Sequence, residues 1–273
     1  MNGDEDAARE EAFIYDLYIA PVWREPFNEL LDQEVELPTE GRMLEVGCGT
    51  GGYAVELSAR VGPKLSVIGV DPSEHRLMLA RAKADLRRLE TVEFRTGNLD
   101  QLKLESDEFD LVIGDASMWP PDDLPQVFSE LKRVANHGAT VALLATTRGS
   151  FDEFFSIFWE TLHALELDRY TPALETAIQA RPTPTEAKEI AVDSKWRNVR
   201  SETVKHHFDF EDANAFLTSP LFQRYFFPEW LEMFETEGER QAFLQKLEEI
   251  IQNDSGDAGF EVSIKATIIV GRK

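Results

Sequence analysis

The chain has 273 residues, 42% of them hydrophobic and 10% aromatic, which is enough to bury a core of ordinary size. Its 51 acidic residues exceed its 28 lysines and arginines, so the formal net charge is −23, and no run of basic residues forms a groove. This charge disfavours nucleic acid and anionic membranes as partners, because both bind clustered cations.

Three further features bear on where the protein resides. No apolar run approaches the ~18 residues of a membrane-spanning helix. The first residues are acidic and lack the apolar stretch of a secretion signal. The single cysteine, Cys48, rules out an intrachain disulfide. Together these features predict a soluble, cytoplasmic protein, and they leave its oligomeric state open.

The first half of the chain alternates short apolar runs with helical patterns. Residues 1–11 are charged and predicted to fray, and the aromatic-rich segment 13–40 is predicted to form a helical cover over an apolar surface. Helices are predicted at 52–61, around 79–89 and at 124–134. Strands are predicted at 42–46, 65–70, 92–95, 109–114 and 139–145. This alternation indicates βαβ units and a parallel sheet with helices on both faces.

The second half of the chain lacks this regular alternation of strands and helices. Helical additions are predicted at 148–198 and 211–252, with strands of the sheet at 199–210 and 258–271. The aromatic stripe at 151–159 favours a core helix over a ligand wall, although its place after the fifth strand also makes it a candidate lid. The sequence as a whole therefore predicts a single α/β domain. Its sheet is predicted to be Rossmann-like, doubly wound, mostly parallel and seven-stranded, with helical cap insertions. Its cofactor-binding core is predicted at 41–147.

A glycine-rich loop joins the first strand to the first helix of this core. It reads Val46-Gly-Cys-Gly-Thr-Gly-Gly52. Glycines let the backbone approach a ligand closely and adopt positive φ, and the helix start that follows attracts a carboxylate or phosphate. Because Gly47, Gly49 and Gly52 also satisfy the dinucleotide fingerprint, the loop alone does not separate NAD from S-adenosylmethionine.

Asp71 ends the second strand, some twenty residues further on, where a carboxylate accepts hydrogen bonds from ribose hydroxyls. An alternative role is that of helix N-cap, because Pro72 and Glu74 suit the first turn of a helix. Ser73 is a second candidate for the cap, which would leave Asp71 to the ribose. Its place after the glycine loop favours ribose binding.

Glu45 favours S-adenosylmethionine over a dinucleotide. An acid directly ahead of the glycine loop attracts the amino group of a methionyl moiety and repels a pyrophosphate. The run Glu45–Gly51, with Asp71, Gly97-Asn98 and Phe109–Val112, resembles the class I S-adenosylmethionine-dependent methyltransferases, closest to small-molecule enzymes of the ubiquinone and menaquinone type. The resemblance covers about residues 13–147.

The resemblance implies a role for each matching residue. The methionyl end of the cofactor is expected at Glu45 and the glycine loop, and the ribose at Asp71. The adenine is expected beside Asn98, which replaces the family's usual aspartate, and Leu99. Tyr15 resembles a tyrosine that touches the cofactor in this group. The full predicted cofactor site is Tyr15, Glu45, Gly47, Cys48, Gly49, Gly51, Asp71, Pro72, Asn98, Leu99 and Asp115.

The acceptor is expected at the carboxyl edge of the sheet, where Ser117, Met118 and Trp119 follow the fourth strand. Trp119 equally suits a structural anchor of the loop. His206 and His207 are weak candidates for a general base, and they point to opposite faces of their strand. Neither has neighbours at metal-ligand spacing, so no metal site is predicted.

The sequence therefore predicts an enzyme that transfers a methyl group from S-adenosylmethionine to a small apolar or aromatic acceptor by in-line displacement. Two alternatives remain open. One is an NAD(P)-dependent oxidoreductase, and the other is a protein that binds S-adenosylmethionine without turnover.

Overall fold

The computed structural model describes residues 2–255 and 259–273. The chain forms two compact units, each made of separate chain segments. Unit 1 contains the residues up to Ala145 together with Pro184–Val204 and Ala266–Lys273. Unit 2 contains Thr146–Thr183 and Lys205–Lys265. Within the described part of the chain, no helix has the length and apolar character needed to cross a bilayer.

Seven strands form one sheet in the order β3-β2-β1-β4-β5-β7-β6. They are β1 (Gly41–Val46), β2 (Leu65–Asp71), β3 (Val92–Thr96), β4 (Phe109–Asp115), β5 (Ala135–Thr146), β6 (Arg197–Phe210) and β7 (Phe260–Arg272). The pairs β1–β2, β1–β4, β2–β3 and β4–β5 are parallel. The predicted doubly wound, mostly parallel sheet is confirmed, although residue 258 of the predicted last strand lies outside the described residues.

The strand order reverses between β1 and β4, which are neighbours in space but not in sequence. In an open α/β sheet, the carboxyl ends of strands at such a switch point leave a crevice that binds ligands. Val46 at the end of β1 lies opposite Gly114 of β4. The loops that follow these two strands therefore meet at the same edge of the sheet.

The described residues form thirteen α-helices. They are α1 (Asn2–Ile14), α2 (Ala20–Trp23), α3 (Glu25–Glu34), α4 (Gly52–Val61), α5 (Glu74–Leu86), α6 (Leu124–Val134), α7 (Asp152–Ala164), α8 (Thr171–Ala180), α9 (Pro184–Asp193), α10 (Ala213–Leu217), α11 (Pro220–Tyr225), α12 (Phe227–Trp230) and α13 (Glu237–Ser255). A π-helical turn, Tyr15–Ile19, joins α1 to α2.

The predicted fraying of residues 1–11 is wrong for the described part of that segment, which belongs to α1. Charge alone does not fray a helix that has tertiary partners, and α1 packs against α5. Ala12 is buried, and Glu11 forms an ion pair with Arg76 of α5, with 2.5 Å between Oε1 and a guanidinium nitrogen.

The apolar core of unit 1 includes one face of α6 and the strands beneath it. Leu124, Val127, Phe128, Leu131 and Val134 recur at three- and four-residue spacing and are all buried, so one stripe of α6 faces the core. Trp196, just ahead of β6, packs edge-on against Phe128 and donates a 3.0 Å hydrogen bond to its carbonyl oxygen. This core fixes the strand ends that carry the loops of the site.

Unit 2 has a core of its own, built mainly from aromatic rings. Phe154 of α7 stacks on Trp230 with 4.9 Å between ring centroids, and it meets Phe158 edge-on. The fully buried rings of this unit are Phe151, Phe154, Phe158, Phe216, Phe222, Phe226, Trp230 and Phe243. The stripe predicted at 151–159 therefore supplies core residues, and its exception is the exposed Trp159.

Candidate active site

The glycine loop after β1 owes its shape to three residues with positive φ. Gly47, Gly49 and Gly51 have φ of 76°, 56° and 71°. A Cβ atom on any of them would overlap a neighbour: the Asp115 carbonyl oxygen, the Tyr15 ring or the Ala80 side chain, respectively. A Cβ atom at Gly52 would meet no other atom within 4 Å. The loop thus requires glycine at 47, 49 and 51 but not at 52, the third position of the dinucleotide fingerprint.

Asp71 ties this loop to the end of β2. Its Oδ2 accepts a hydrogen bond from the backbone N–H of Gly49 at 2.9 Å, and its Oδ1 accepts one from Ser73 at 2.9 Å. The helix cap of α5 is Ser73, whose hydroxyl accepts from the backbone N–H of Arg76. Asp71 is therefore not the cap. Its carboxylate, which can accept about four hydrogen bonds, retains capacity for a ligand.

A buried arginine links the ends of β1 and β4. The Arg24 guanidinium donates to Glu45 Oε1 at 2.6 Å, to Asp115 Oδ2 at 2.5 Å and to the Gly47 carbonyl oxygen at 3.0 Å. Arg24 is 7% exposed and Glu45 0% exposed. Arg24 is not among the residues that the sequence patterns indicate.

The charges of this cluster do not cancel. Burial alone would lower the pKa of Arg24, but the Asp115 and Glu45 carboxylates outweigh burial and raise it, so the guanidinium stays charged. Burial raises the pKa of the Glu45 carboxyl, and Arg24 only partly offsets this rise. With both carboxyls ionised, the cluster carries one net negative charge. Glu45 Oε2 is buried without a hydrogen-bond partner among the described residues.

The N-terminal segment of the chain lies over the glycine loop. The Tyr15 ring contacts Gly49 on one side, and the Arg76 guanidinium stacks on the ring at 4.0 Å from its centroid. Asp16 accepts a 2.5 Å hydrogen bond from the Thr50 hydroxyl and pairs with Lys83. Tyr15 thus lies against the glycine loop, and burial raises the pKa of its hydroxyl.

A cavity of about 460 Å³ lies beside this contact. Its walls include Tyr15, Arg24, Asn28, Cys48 and Tyr53, and its volume falls in the range of small-molecule pockets. The Asn28 side-chain oxygen is buried and has no hydrogen-bond partner among the described residues. The N-terminal segment and the glycine loop together therefore leave room for a ligand within unit 1.

The other predicted cofactor residues differ in exposure. Asn98 and Pro72 are exposed beyond β3 and β2, so both are accessible to a ligand. Leu99 is buried in the apolar core of unit 1. Cys48 is also buried, and burial raises the pKa of its thiol, so it stays protonated and suits a small packing residue.

The loop after β4 holds the three predicted acceptor residues. Ser117 Oγ accepts a 2.8 Å hydrogen bond from Trp23 Nε1, and its backbone N–H donates to Asp115 Oδ1 at 2.9 Å. Met118 is half-buried. Trp119 packs against the core of unit 1, and its indole N–H is buried with no hydrogen-bond partner in the described chain. Packing therefore holds the Trp119 ring in place, while its indole N–H can still donate a hydrogen bond to a ligand.

The two histidines predicted as weak general-base candidates lie on β6. His207 Nδ1 lies 2.8 Å from Glu261 Oε1, with both side chains partly exposed, and the His206 ring packs edge-on against Phe208. Among the described residues, no group of three or more His, Cys, Asp or Glu side chains could hold a metal ion.

The site residues that sequence patterns did not indicate come from the N-terminal segment. Arg24 reaches Asp115 across 91 positions, and Trp23 reaches Ser117 across 94. The only signal in the sequence was that two acids at the switch point, Glu45 and Asp115, would need a counter-charge, and this does not say which cation supplies it.

Comparison with known proteins finds similarity to methyltransferases over part of the chain. Residues 43–138 match the family model described as a methyltransferase domain. A demethylmenaquinone methyltransferase from Lactococcus lactis is 34% identical over 124 residues, which cover 44% of this chain and 49% of that protein. One from Halalkalibacterium halodurans is 34% identical over 116 residues, 42% and 47% of the two chains. The alignments span about half the length of these curated relatives.

Solved structures share the fold over most of the chain. The YcgJ protein from Bacillus subtilis has a TM-score of 0.56 at 17% identity, covering 91% of this chain and 98% of that one. Phosphoethanolamine N-methyltransferase 2 from Haemonchus contortus, solved with S-adenosyl-L-methionine, has a TM-score of 0.54 at 17% identity, covering 92% and 52%.

The sheet order and the glycine loop define the Rossmann-like fold of class I methyltransferases. The methyltransferase-domain model matches less than half of this chain, at residues 43–138. The resemblance to class I S-adenosylmethionine-dependent methyltransferases is thereby confirmed.

Proposed function

We propose that this protein is an S-adenosylmethionine-dependent methyltransferase that acts on a small molecule. The observation that carries the proposal is the buried Glu45 carboxylate, whose Oε2 has no partner among the described residues. It sits beside a glycine loop in a cluster with one net negative charge. Such a site suits a cationic ligand and disfavours the diphosphate of a dinucleotide.

The residues present fit this cofactor. Glu45 would accept from its ammonium group, the loop backbone at Gly47, Gly49 and Gly51 would contact its methionyl part, and Asp71 its ribose. The tolerance for a side chain at position 52 also argues against the dinucleotide alternative, in which the third glycine serves close packing. When bound, S-adenosylmethionine supplies an electrophilic methyl group on a sulfonium.

The chain's own contribution is to align and enclose the reactants. Alignment alone can supply up to ~7–11 kcal/mol in ideal cases. The Tyr15 ring lies on the glycine loop, and Trp23 and Arg24 bind the loop after β4, so this segment can exclude water from the edge of the sheet. His206 and His207 remain the candidates for a general base, which the reaction needs only if the acceptor must lose a proton.

The acceptor is proposed to be a small apolar or aromatic molecule near Ser117, Met118 and Trp119. The unused indole N–H of Trp119 supports this, because it can donate to a carbonyl or hydroxyl oxygen. The relatives' name, demethylmenaquinone methyltransferase, makes an aromatic quinol the first acceptor to test. The net charge of −23 opposes a nucleic-acid acceptor.

Cofactor identity gives the direct test. S-adenosylmethionine and S-adenosylhomocysteine should each raise the midpoint of thermal unfolding, because a ligand that binds only the folded state stabilises it. NAD and NADP should not. Formation of S-adenosylhomocysteine with a demethylmenaquinol analogue, followed by mass spectrometry, would separate an enzyme from a protein that only binds. Stabilisation by the nicotinamide cofactors alone would overturn the proposal.

Replacing Glu45 by glutamine should weaken S-adenosylmethionine binding by roughly 10–100-fold, the value of one charge-assisted hydrogen bond. Burial raises the pKa of Glu45, so the wild-type affinity should fall on acidification at a higher pH than an exposed glutamate would give. The variant should lose that part of the pH dependence. Calorimetric titrations across the acid range check both points.

Glu93→Gln is the matched control for Glu45→Gln. Glu93 is an exposed residue that pairs with Arg95 on β3, away from the glycine loop. Its replacement should leave the affinity and its pH dependence as in the wild type. An equal loss in both variants would mean that overall charge, and not Glu45, attracts the cofactor.

A further inference from the structure

The Arg24 guanidinium holds the acceptors that surround the Glu45 carboxylate. Its N–H groups donate to Glu45 Oε1, to Asp115 Oδ2 and to the Gly47 carbonyl oxygen, all within 3.0 Å. The second oxygen of Asp115 accepts from the backbone N–H of Ser117. Of the four carboxylate oxygens in this cluster, only Glu45 Oε2 is without a hydrogen-bond partner among the described residues.

One free oxygen does not satisfy an ammonium group. A protonated primary amine carries three N–H donors, and each donor that is buried without an acceptor costs free energy. An ammonium that binds Glu45 therefore requires further acceptors, and those grouped with Glu45 are Asp115 Oδ2 and the Gly47 carbonyl oxygen. Arg24 donates to both of them. The guanidinium and a ligand's ammonium thus compete for the same set of oxygens.

The present conformation also shields these oxygens from any ligand. Glu45 is 0% exposed, and Arg24, which lies on it, is 7% exposed. Arg24 lies between α2 and α3 of the N-terminal segment, whereas Glu45 and Asp115 belong to β1 and β4. A change of the Arg24 side-chain rotamer would therefore expose the acceptors while the strands keep their register.

The cavity beside the glycine loop gives the Arg24 side chain a second position. Arg24 forms part of the wall of this cavity of about 460 Å³, which Glu25, Asn28 and Glu29 of α3 also line. Neither glutamate forms an ion pair among the described residues, and the buried side-chain oxygen of Asn28 has no hydrogen-bond partner there. A guanidinium that leaves Glu45 therefore has carboxylate and amide groups beside it in the same cavity.

We propose that Arg24 is an internal competitor of the cofactor's ammonium group. In the absence of a ligand it neutralises Glu45 and Asp115, which would otherwise be two buried carboxylates without a counter-charge. When the cofactor binds, Arg24 turns into the cavity and releases its acceptors to the ammonium. This inference rests on the proposed function, because that function supplies the ammonium group.

Calorimetric titration of Arg24→Met with S-adenosylhomocysteine tests the proposal through the sign of the effect. The variant has no guanidinium to displace, so it should bind about tenfold tighter than the wild type or more. The probe 5′-methylthioadenosine lacks the ammonium group and should bind both proteins equally well. Arg95→Met is the control, because it removes an exposed cation that pairs with Glu93, and it should bind S-adenosylhomocysteine like the wild type.

Arg24→Lys keeps the proposal testable if Arg24→Met does not fold. Lysine retains the charge but donates from one nitrogen instead of two, so the gain in affinity should be smaller and in the same direction. Equal or weaker binding of S-adenosylhomocysteine by both variants would overturn the proposal, as would an equal gain for 5′-methylthioadenosine. If neither the wild type nor any variant bound S-adenosylhomocysteine, the proposed function itself would fall.

Discussion

Replacing Arg24 by methionine is expected to lower the free energy of unfolding by about 3–5 kcal/mol, the cost of breaking a buried ion pair from one side. The change leaves the Glu45 and Asp115 carboxylates near each other without their shared counter-charge. Urea titration followed by circular dichroism measures the loss. Adding Glu45→Gln to Arg24→Met should recover part of it, because one of the stranded charges is then gone.

Arg95→Met is the control for this prediction. Arg95 pairs with Glu93 at 2.8 Å, but both side chains are largely exposed, so the pair contributes only about 0–1 kcal/mol. If Arg24→Met cost no more than this control, Arg24 would not neutralise a buried cluster. A double variant less stable than Arg24→Met alone would contradict the charge argument in the same way.

The second large effect is expected at Gly51. Alanine there would have to adopt a φ of 71°, and its Cβ would lie 2.6 Å from the Ala80 side chain and 2.8 Å from the Phe94 ring. Left-handed backbone and overpacking together cost roughly 2–5 kcal/mol. Thermal unfolding should show the loss, and S-adenosylmethionine affinity should fall because the loop backbone is displaced.

Gly52→Ala is the neighbouring control, since an added methyl group meets no atom within 4 Å. Gly52 begins α4, so alanine should be neutral or slightly stabilising there. Ala80→Gly added to Gly51→Ala should relieve one of the two overlaps and restore part of the stability. Equal effects of Gly51→Ala and Gly52→Ala would show that the loop has another shape.

The sheet and the glycine loop could be predicted because their signals are local. Strand and helix periodicities set the alternation of elements, and the loop's glycines occupy positions where the backbone needs positive φ. That Asp71 lies beside the loop could also be predicted, from its spacing along the chain. Its hydrogen bond to Gly49 was not, because a distance along the chain does not say which donor a carboxylate will meet.

Arg24 could not be predicted because its partners are remote in sequence. Nothing in the run Pro21-Val-Trp-Arg24 has a period that points to Glu45 or Asp115, and the contact exists only once β1 and β4 lie side by side. The aromatic stripe at 151–159 could be predicted only in part. Its spacing predicted a helix correctly, but whether its rings face a ligand or one another depends on Phe216 and Trp230, which lie far along the chain.

The interleaving of the two units has a consequence for the order in which the protein can assemble. Unit 1 takes its last residues, Ala266–Lys273, from beyond the whole of unit 2, and Pro184–Val204 of unit 1 separates the two segments of unit 2. During synthesis, unit 1 therefore cannot be completed before every residue of unit 2 has been made. Contacts that close such long loops slow folding, since their entropy is lost before they stabilise anything. Unit 1 thus stays incomplete throughout the synthesis of unit 2, in the period when aggregation competes with folding.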